Sequence, residues 1–274
     1  RSYAVSLLVD GSASMLQARD RNSSRDTRWG MTAATLGAWM LADLCDELQI
    51  EFELAVFNRG FAATADDTEA SYRRRKANAT SELRRAQGSS ADRLTQTVNH
   101  YLLKPFDRRW RSSEHLLAGF FQTISRQAES VQHVRRNAAE APPLAMFEKA
   151  ANVDEFNVRH AADRLDRLGA NVRVLVVLAD GMTRGSLTAL SKTVTQIEEA
   201  GTTVLGIGIG DDTVTRTYHR HAVVDRPDAL TVAMVDGVRS ALRRSLAMSG
   251  LDAWWVRAAA GLPNTQSTNI RRSA

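Results

Sequence analysis

Four short apolar runs rich in β-branched residues punctuate the chain: residues 3–9 (YAVSLLV), Ile50 to Phe57 (IEFELAVF), Val172 to Ala179 (VRVLVVLA) and Thr203 to Ile209 (TVLGIGI). Runs of this length beside helical patterns are how buried, mostly parallel strands read. Helical periodicity predicts helices over about 28–48, 155–168, 186–200 and 229–247. In the first of these, Trp29, Ala33, Leu36, Met40, Leu44 and Leu48 recur at three- and four-residue steps and predict its buried face. Strands alternating with helices predict an α/β fold with a doubly wound, mostly parallel sheet flanked by helices.

The stretch from about 58 to 150 interrupts this alternation. It offers no convincing strand, charged helical windows at about 67–86, 90–103 and 112–138, and a stop at Pro142-Pro143. It therefore reads as a helical insertion inside one domain spanning residues 1–250, followed by a polar, flexible tail at 251–274. A length of 274 residues accommodates such a domain as readily as two smaller ones. Arg1-Ser2 leads straight into the first apolar run with no initiator methionine, which reads as a fragment of a longer chain. No run approaches the roughly 18 apolar residues of a membrane span, and no basic-then-apolar leader opens the chain. The single Cys45 excludes an intramolecular disulfide framework and a cysteine zinc site. A cytoplasmic location is the expectation.

The strongest chemical signal is Asp10-Gly11-Ser12-Ala13-Ser14 at the carboxyl end of the first strand, where doubly wound sheets form their ligand crevice. A carboxylate followed at two-residue steps by two hydroxyls offers three hard oxygen ligands from one turn. Such oxygens suit Mg²⁺ and also accommodate Mn²⁺ or Ca²⁺. Asp180, in Leu178-Ala179-Asp180-Gly181, brings a second carboxylate to the matching end of another strand.

This arrangement resembles the von Willebrand factor A domain and its metal-ion-dependent adhesion site. Asp10, Ser12 and Ser14 match the family's D-x-S-x-S, and Asp180 matches its Asp after the fourth strand. The family's Thr ligand is replaced: Asn152 stands in its place in Ala151-Asn152-Val153-Asp154-Glu155, with Asp154 as a neighbouring alternative. Four further stretches, Met31 to Thr35, Asn152-Val153-Asp154, Asp180-Gly181, and Gly206 to Tyr218 with Ala222 to Asp225, are similar to the C-terminal domain of CobT, a subunit of aerobic cobaltochelatase. The similarity runs over residues 3–246 and is weakest across 58–140. Asp211 departs from it where a His is commoner, and a second consecutive Tyr is missing. The resemblance implies a non-catalytic, metal-dependent docking subunit in cobalamin biosynthesis. It would couple a CobS-like AAA+ ATPase to a large CobN-like subunit. A von Willebrand adaptor of a MoxR-type AAA+ chaperone is the alternative, and an extracellular adhesion module a more remote one.

Charge sharpens the picture. The 36 Lys+Arg outnumber 31 Asp+Glu, and all but four are Arg, a ratio that a GC-rich genome would also produce. Residues 71–140 carry fourteen basic and six acidic residues, so this part of the insertion holds a net +8 and the rest of the chain a net −3. Arg73, Arg74, Arg75, Arg84 and Arg85 form either a solvated helical face or a surface for an acidic protein segment. Sparse aromatics among them speak against nucleic acid.

Other motifs lead nowhere. Gly206-x-Gly208-x-Gly210 lacks the dinucleotide spacing and is followed by the anions Asp211 and Asp212. There is no phosphate-binding G-x-x-x-x-G-K-[ST] and no G-x-S-x-G elbow, so no catalysis is expected from the chain itself. His219-x-His221 reads as a solvated turn, and Trp254-Trp255 as packing or a contact surface.

Overall fold

Strand β1 (Tyr3–Asp10) is buried along nearly its whole length, which is why its sequence shows no polar alternation. It pairs in parallel with β2 (Glu51–Gly60) on one side and with β4 (Val172–Ala179) on the other. Beyond β4 lie β5 (Thr202–Ile209) and β6 (His221–Val224), also parallel. β3 (Thr97–Lys104) runs antiparallel along the outer edge of β2. The six-stranded order is β3-β2-β1-β4-β5-β6. The computed structural model describes residues 2–15, 29–60, 68–87, 97–127, 153–181, 183 and 185–248.

Helices cover both faces. α1 (Gly30–Glu47), α3 (Trp110–Gln127) and α6 (Pro227–Met248) pack on one face around Leu7, Leu41, Phe52, Phe120, Val176 and Met234. α4 (Asp154–Arg167) and α5 (Leu187–Glu199) close the other over Leu8, Phe57, Val158, Leu165, Val177 and Val194. α2 (Glu69–Gln87) lies between β2 and β3 in the chain. The result is a doubly wound, mixed sheet of the Rossmann and von Willebrand factor A kind. After β1 the chain crosses to β2 on one side, and after β4 it crosses to β5 on the other. The winding therefore reverses between β1 and β4, and a crevice opens at their carboxyl ends.

Three expectations need correction. The described part of the window at 90–103 is not helical: residues 97–104 form β3, held by its ladder to β2 from Gly60↔Thr97 to Leu54↔Lys104. The insertion therefore contributes a strand to the sheet as well as helices. β6 is too short a run, HAVV, to announce itself in sequence. Half of the stripe expected to be buried on α1 is exposed, with Leu36, Met40 and Leu48 at 47%, 56% and 59%, whereas Ala33 is buried and Trp29 and Leu44 are half-buried. The buried face uses small residues instead, including Ala34, Gly37, Ala38 and Ala42 beside Leu41. Small residues let α6 come close: a Cβ on Gly37 would stand 2.7 Å from the sulfur of Met234. The side chain of Met234 occupies the space that any larger residue at position 37 would need.

Candidate metal centre

At the end of β1 the chain makes a tight turn fixed by its own polar atoms. Gly11 N–H donates to the carbonyl of Phe57 at 2.7 Å, and Ser12 N–H donates to Asp10 Oδ1 at 2.7 Å. An Asp side chain bonding the backbone two residues on is the local habit that makes Asp a turn residue. The short helical turn Ala13–Met15 follows, and it brings Ser12 Oγ and Ser14 Oγ into a shared hydrogen bond at 2.8 Å. Ser12 Oγ also donates to Asp180 Oδ1, across the crevice, at 3.4 Å.

Asp154, the first residue of α4, lies near enough for its charge to act on Asp10. Its backbone N–H donates to Thr183 Oγ1 at 3.0 Å, and Thr183 Oγ1 accepts from Gly185 N–H at 3.0 Å as well. The Thr183 hydroxyl in turn donates to Glu155 Oε2 at 3.3 Å, while Glu155 Oε1 accepts from Ser186 N–H at 3.2 Å. Thr183 and Glu155 thus stitch the start of α4 to the loop after β4. No local pattern in the sequence marks either residue, because the link joins two loops distant along the chain.

Asp10, Asp154 and Asp180 are only 5%, 4% and 2% exposed. Burial, then the charges of Asp180 and Asp154, holds the Asp10 carboxyl well above the usual range, against the opposing bonds from Ser12. Asp154 is pushed up to about 7 by burial first, then by Glu155 and Asp180. The Tyr218 phenol is raised too, by burial and then by the charges of Asp154 and Asp10. Its hydroxyl is buried with no hydrogen-bond partner among the described residues.

These groups suit a small hard cation. Among the described residues no three His, Cys, Asp or Glu side chains form a ready-made ligand set. Any cation here would therefore need the serine hydroxyls alongside the carboxylates. Neighbouring ligands on an octahedral ion with metal–oxygen distances of about 2.1 Å lie about 3 Å apart. The 2.8 Å between Ser12 Oγ and Ser14 Oγ matches that edge closely. Like-charged carboxylates buried together are the other half of the fit, since each raises the cost of ionising its neighbours.

A second polar network anchors α4. Glu53, buried in the middle of β2, accepts from Arg164 Nε at 2.9 Å, Arg164 Nη2 at 2.8 Å and Ser6 Oγ at 3.0 Å. Arg164 Nη1 donates to His100 Nδ1 at 2.8 Å. A guanidinium can only donate, so the proton of His100 sits on Nε2, which donates to Asn157 Oδ1 at 3.0 Å. Asn157 Nδ2 then donates to the carbonyl of Val153 at 2.9 Å, next to Asp154. Burial first, then the charges of Arg164 and His160, lowers His100 to about 3, so the imidazole is neutral. The chain of bonds ties β1, β2 and β3 to the end of α4 that carries Asp154.

No protein-family model matches the chain, and no curated protein matches it. Among solved structures, a mutant of the PilB minor pilin from Streptococcus sanguinis superposes with a TM-score of 0.50 at 13% identity, over 89% of this chain and 62% of that one. The PilB minor pilin itself gives 0.49 at 13% identity, over 87% and 61%. The SpRpn10 VWA domain gives 0.41 at 10% identity, over 86% and 95%. The chain spans less than two thirds of the pilin's length, and likeness at this identity concerns the fold alone. The chain has a von Willebrand factor A-like α/β fold.

Of the expected residues, hydrogen bonds join Asp10, Ser12, Ser14 and Asp180, Asp154 acts on Asp10 through its charge, and Asn152 lies outside the described residues. Arg73, Arg74 and Arg85 are exposed on α2 and Arg75 is half-buried; Arg84 belongs to the same helix, but its side chain lies outside the described residues. His219 and His221 do not form a pair: the first meets Glu198 and the second the carbonyl of Tyr218. Trp254 and Trp255 lie outside the described residues, and among those described no helix is long and apolar enough to cross a membrane.

Proposed function

We propose that this chain is a protein-docking domain that holds a divalent cation, Mg²⁺ in the first instance and Mn²⁺ or Ca²⁺ as substitutes, on Asp10, Ser12, Ser14, Asp154 and Asp180. The observation that carries the reading is the joining of two buried carboxylates, Asp10 and Asp180, by the hydrogen bonds of Ser12 and Ser14 at the sheet's winding reversal, with the charge of a third, Asp154, acting on Asp10. A cation bound there would supply positive charge at the rim for an acidic side chain of a partner to complete its coordination. In this reading the protein's own groups hold and orient the ion and the partner's side chain.

The finer reading is a CobT-like subunit of an ATP-dependent cobaltochelatase, acting in the cytoplasm between a CobS-like AAA+ ATPase and a CobN-like large subunit. Its support is the sequence resemblance around Met31 to Thr35, Asp180-Gly181 and Gly206 to Tyr218. The exposed arginines of α2 would take an acidic protein segment. Affinity capture from the source organism, in Mg²⁺ and in EDTA, tests both levels. A AAA+ ATPase retained in Mg²⁺ and lost both in EDTA and with Asp10→Ala supports cation-dependent docking. A large chelatase subunit in the same complex supports the cobaltochelatase role, whereas a MoxR-type ATPase without it selects the chaperone adaptor. A AAA+ partner retained equally in EDTA contradicts docking through the ion.

A further inference from the structure

Tyr218 follows the short helical turn Thr213–Arg216, and both of its backbone polar groups are engaged. Its N–H donates to the carbonyl of Val214 at 3.0 Å, and its own carbonyl accepts from His221 Nδ1 at 2.9 Å. The ring lies directly against the backbone of β5: a Cβ built on Gly206 would stand 2.4 Å from both Cγ and Cδ2 of the tyrosine. Its neighbours in the core beneath α4 and α5 include Val214, Val177 and Val204. Ring and backbone are thus held in place, which fixes the direction of the C–O bond. The hydroxyl at its end is buried, close enough to Asp154 and Asp10 to feel both charges, and has no hydrogen-bond partner among the described residues.

A buried hydroxyl without a partner costs stability, and natural cores rarely keep one without a use. Phenylalanine would fill the same space with no polar atom to satisfy. The phenol is a donor near enough for the charges of Asp154 and Asp10 to act on it, and those carboxyls, once ionised, only accept. We propose that Tyr218 is a positioning residue of the cation site: its O–H donates to the Asp154 carboxylate when the ion is held and keeps that carboxylate in place for it. The inference rests on the cation reading above. It adds an interior contact, contributed by β5 and its following turn, to ligands that come from β1, β4 and α4.

The test is Tyr218→Phe, which keeps the ring and its packing, titrated with Mn²⁺ alone beside the unaltered chain and Asp10→Ala. A hydrogen bond to a charged group implies a loss of about tenfold or more in Mn²⁺ affinity. The metal-free melting temperature should stay the same or rise, because the variant no longer buries an unsatisfied hydroxyl. Mn²⁺ should also change the near-ultraviolet tyrosine signal of the unaltered chain, and that change should be missing from Tyr218→Phe. Equal Mn²⁺ affinity in Tyr218→Phe and the unaltered chain overturns the role of the phenol and leaves the cation site standing. A metal-free melting temperature that falls along with affinity assigns the residue to structure and overturns the proposal as well. Failure of the unaltered chain to bind Mn²⁺ overturns the cation site itself, and the proposal with it.

Discussion

Replacing Arg164 with methionine would leave Glu53 as a charge buried without its counter-ion. The carboxylate is 1% exposed and sits in mid-strand, facing α4. It accepts two guanidinium hydrogens in a fork, and Ser6 is its remaining hydrogen-bond donor in the network. Breaking a buried pair from one side typically costs about 3–5 kcal/mol, because the surviving ion keeps its desolvation penalty. At about 2–4 °C per kcal/mol for a chain of this size, the melting temperature should fall by roughly 6–20 °C. Methionine retains most of the aliphatic volume, so a cavity adds little. The double variant Glu53→Leu/Arg164→Met should recover most of the loss, since neither ion is then left stranded. Urea and thermal unfolding followed by circular dichroism would read both values. A cost below about 1 kcal/mol, the worth of an exposed pair, or a double variant no more stable than Arg164→Met, would refute the reasoning.

The raised carboxyls set two pH dependences of opposite sign. In the cation-free protein the raised pKa of Asp154 contributes stability that is whole below its unfolded value of 3.8 and is lost as pH rises through about 7. Asp10 acts in the same direction. Cation affinity should instead rise across that window, because binding takes the ionised carboxylates; melting curves and Mn²⁺ titrations at about pH 5.5 and 8 would show both trends. Burial pushes the Cys45 thiol up to about 12, against a smaller opposing effect of Lys104. Iodoacetamide at about pH 8 should therefore label Cys45 only as the protein unfolds, and rapid labelling of the native chain would contradict its burial.

The strands that carry the site were legible because they are buried on both faces and read as unbroken apolar runs. Their terminal aspartates stood out for the same reason: a carboxylate closing such a run needs an explanation. β3 was hidden because its sequence, TVNHYLLK, lies in an arginine-rich stretch whose charge reads as helix surface. Its strand state follows from pairing with β2, which no local window contains. The buried face of α1 was misread because large apolar side chains carry most of the hydrophobic signal, whereas close helix contact selects glycine and alanine. At the site, Asp10, Ser12, Ser14 and Asp180 follow from their places at strand ends. Asp154 was legible only as a substitute for the threonine of a resembling family. Thr183, Glu155 and Tyr218 owe their places to contacts between loops far apart in sequence, and the polar set of Glu53, Arg164 and His100 is assembled in the same way.

A divalent cation held jointly by the turn after β1 and the residue after β4 can be detected without any partner protein. Titration of Mn²⁺ into the metal-free chain, with free ion followed by its paramagnetic resonance signal, tests it most directly. One ion should bind per chain, be displaced by Mg²⁺, and be lost in Asp10→Ala and Asp180→Ala while both variants keep a native circular dichroism spectrum. Undiminished Mn²⁺ binding in both variants, or none in the unaltered chain at about pH 8, would contradict it.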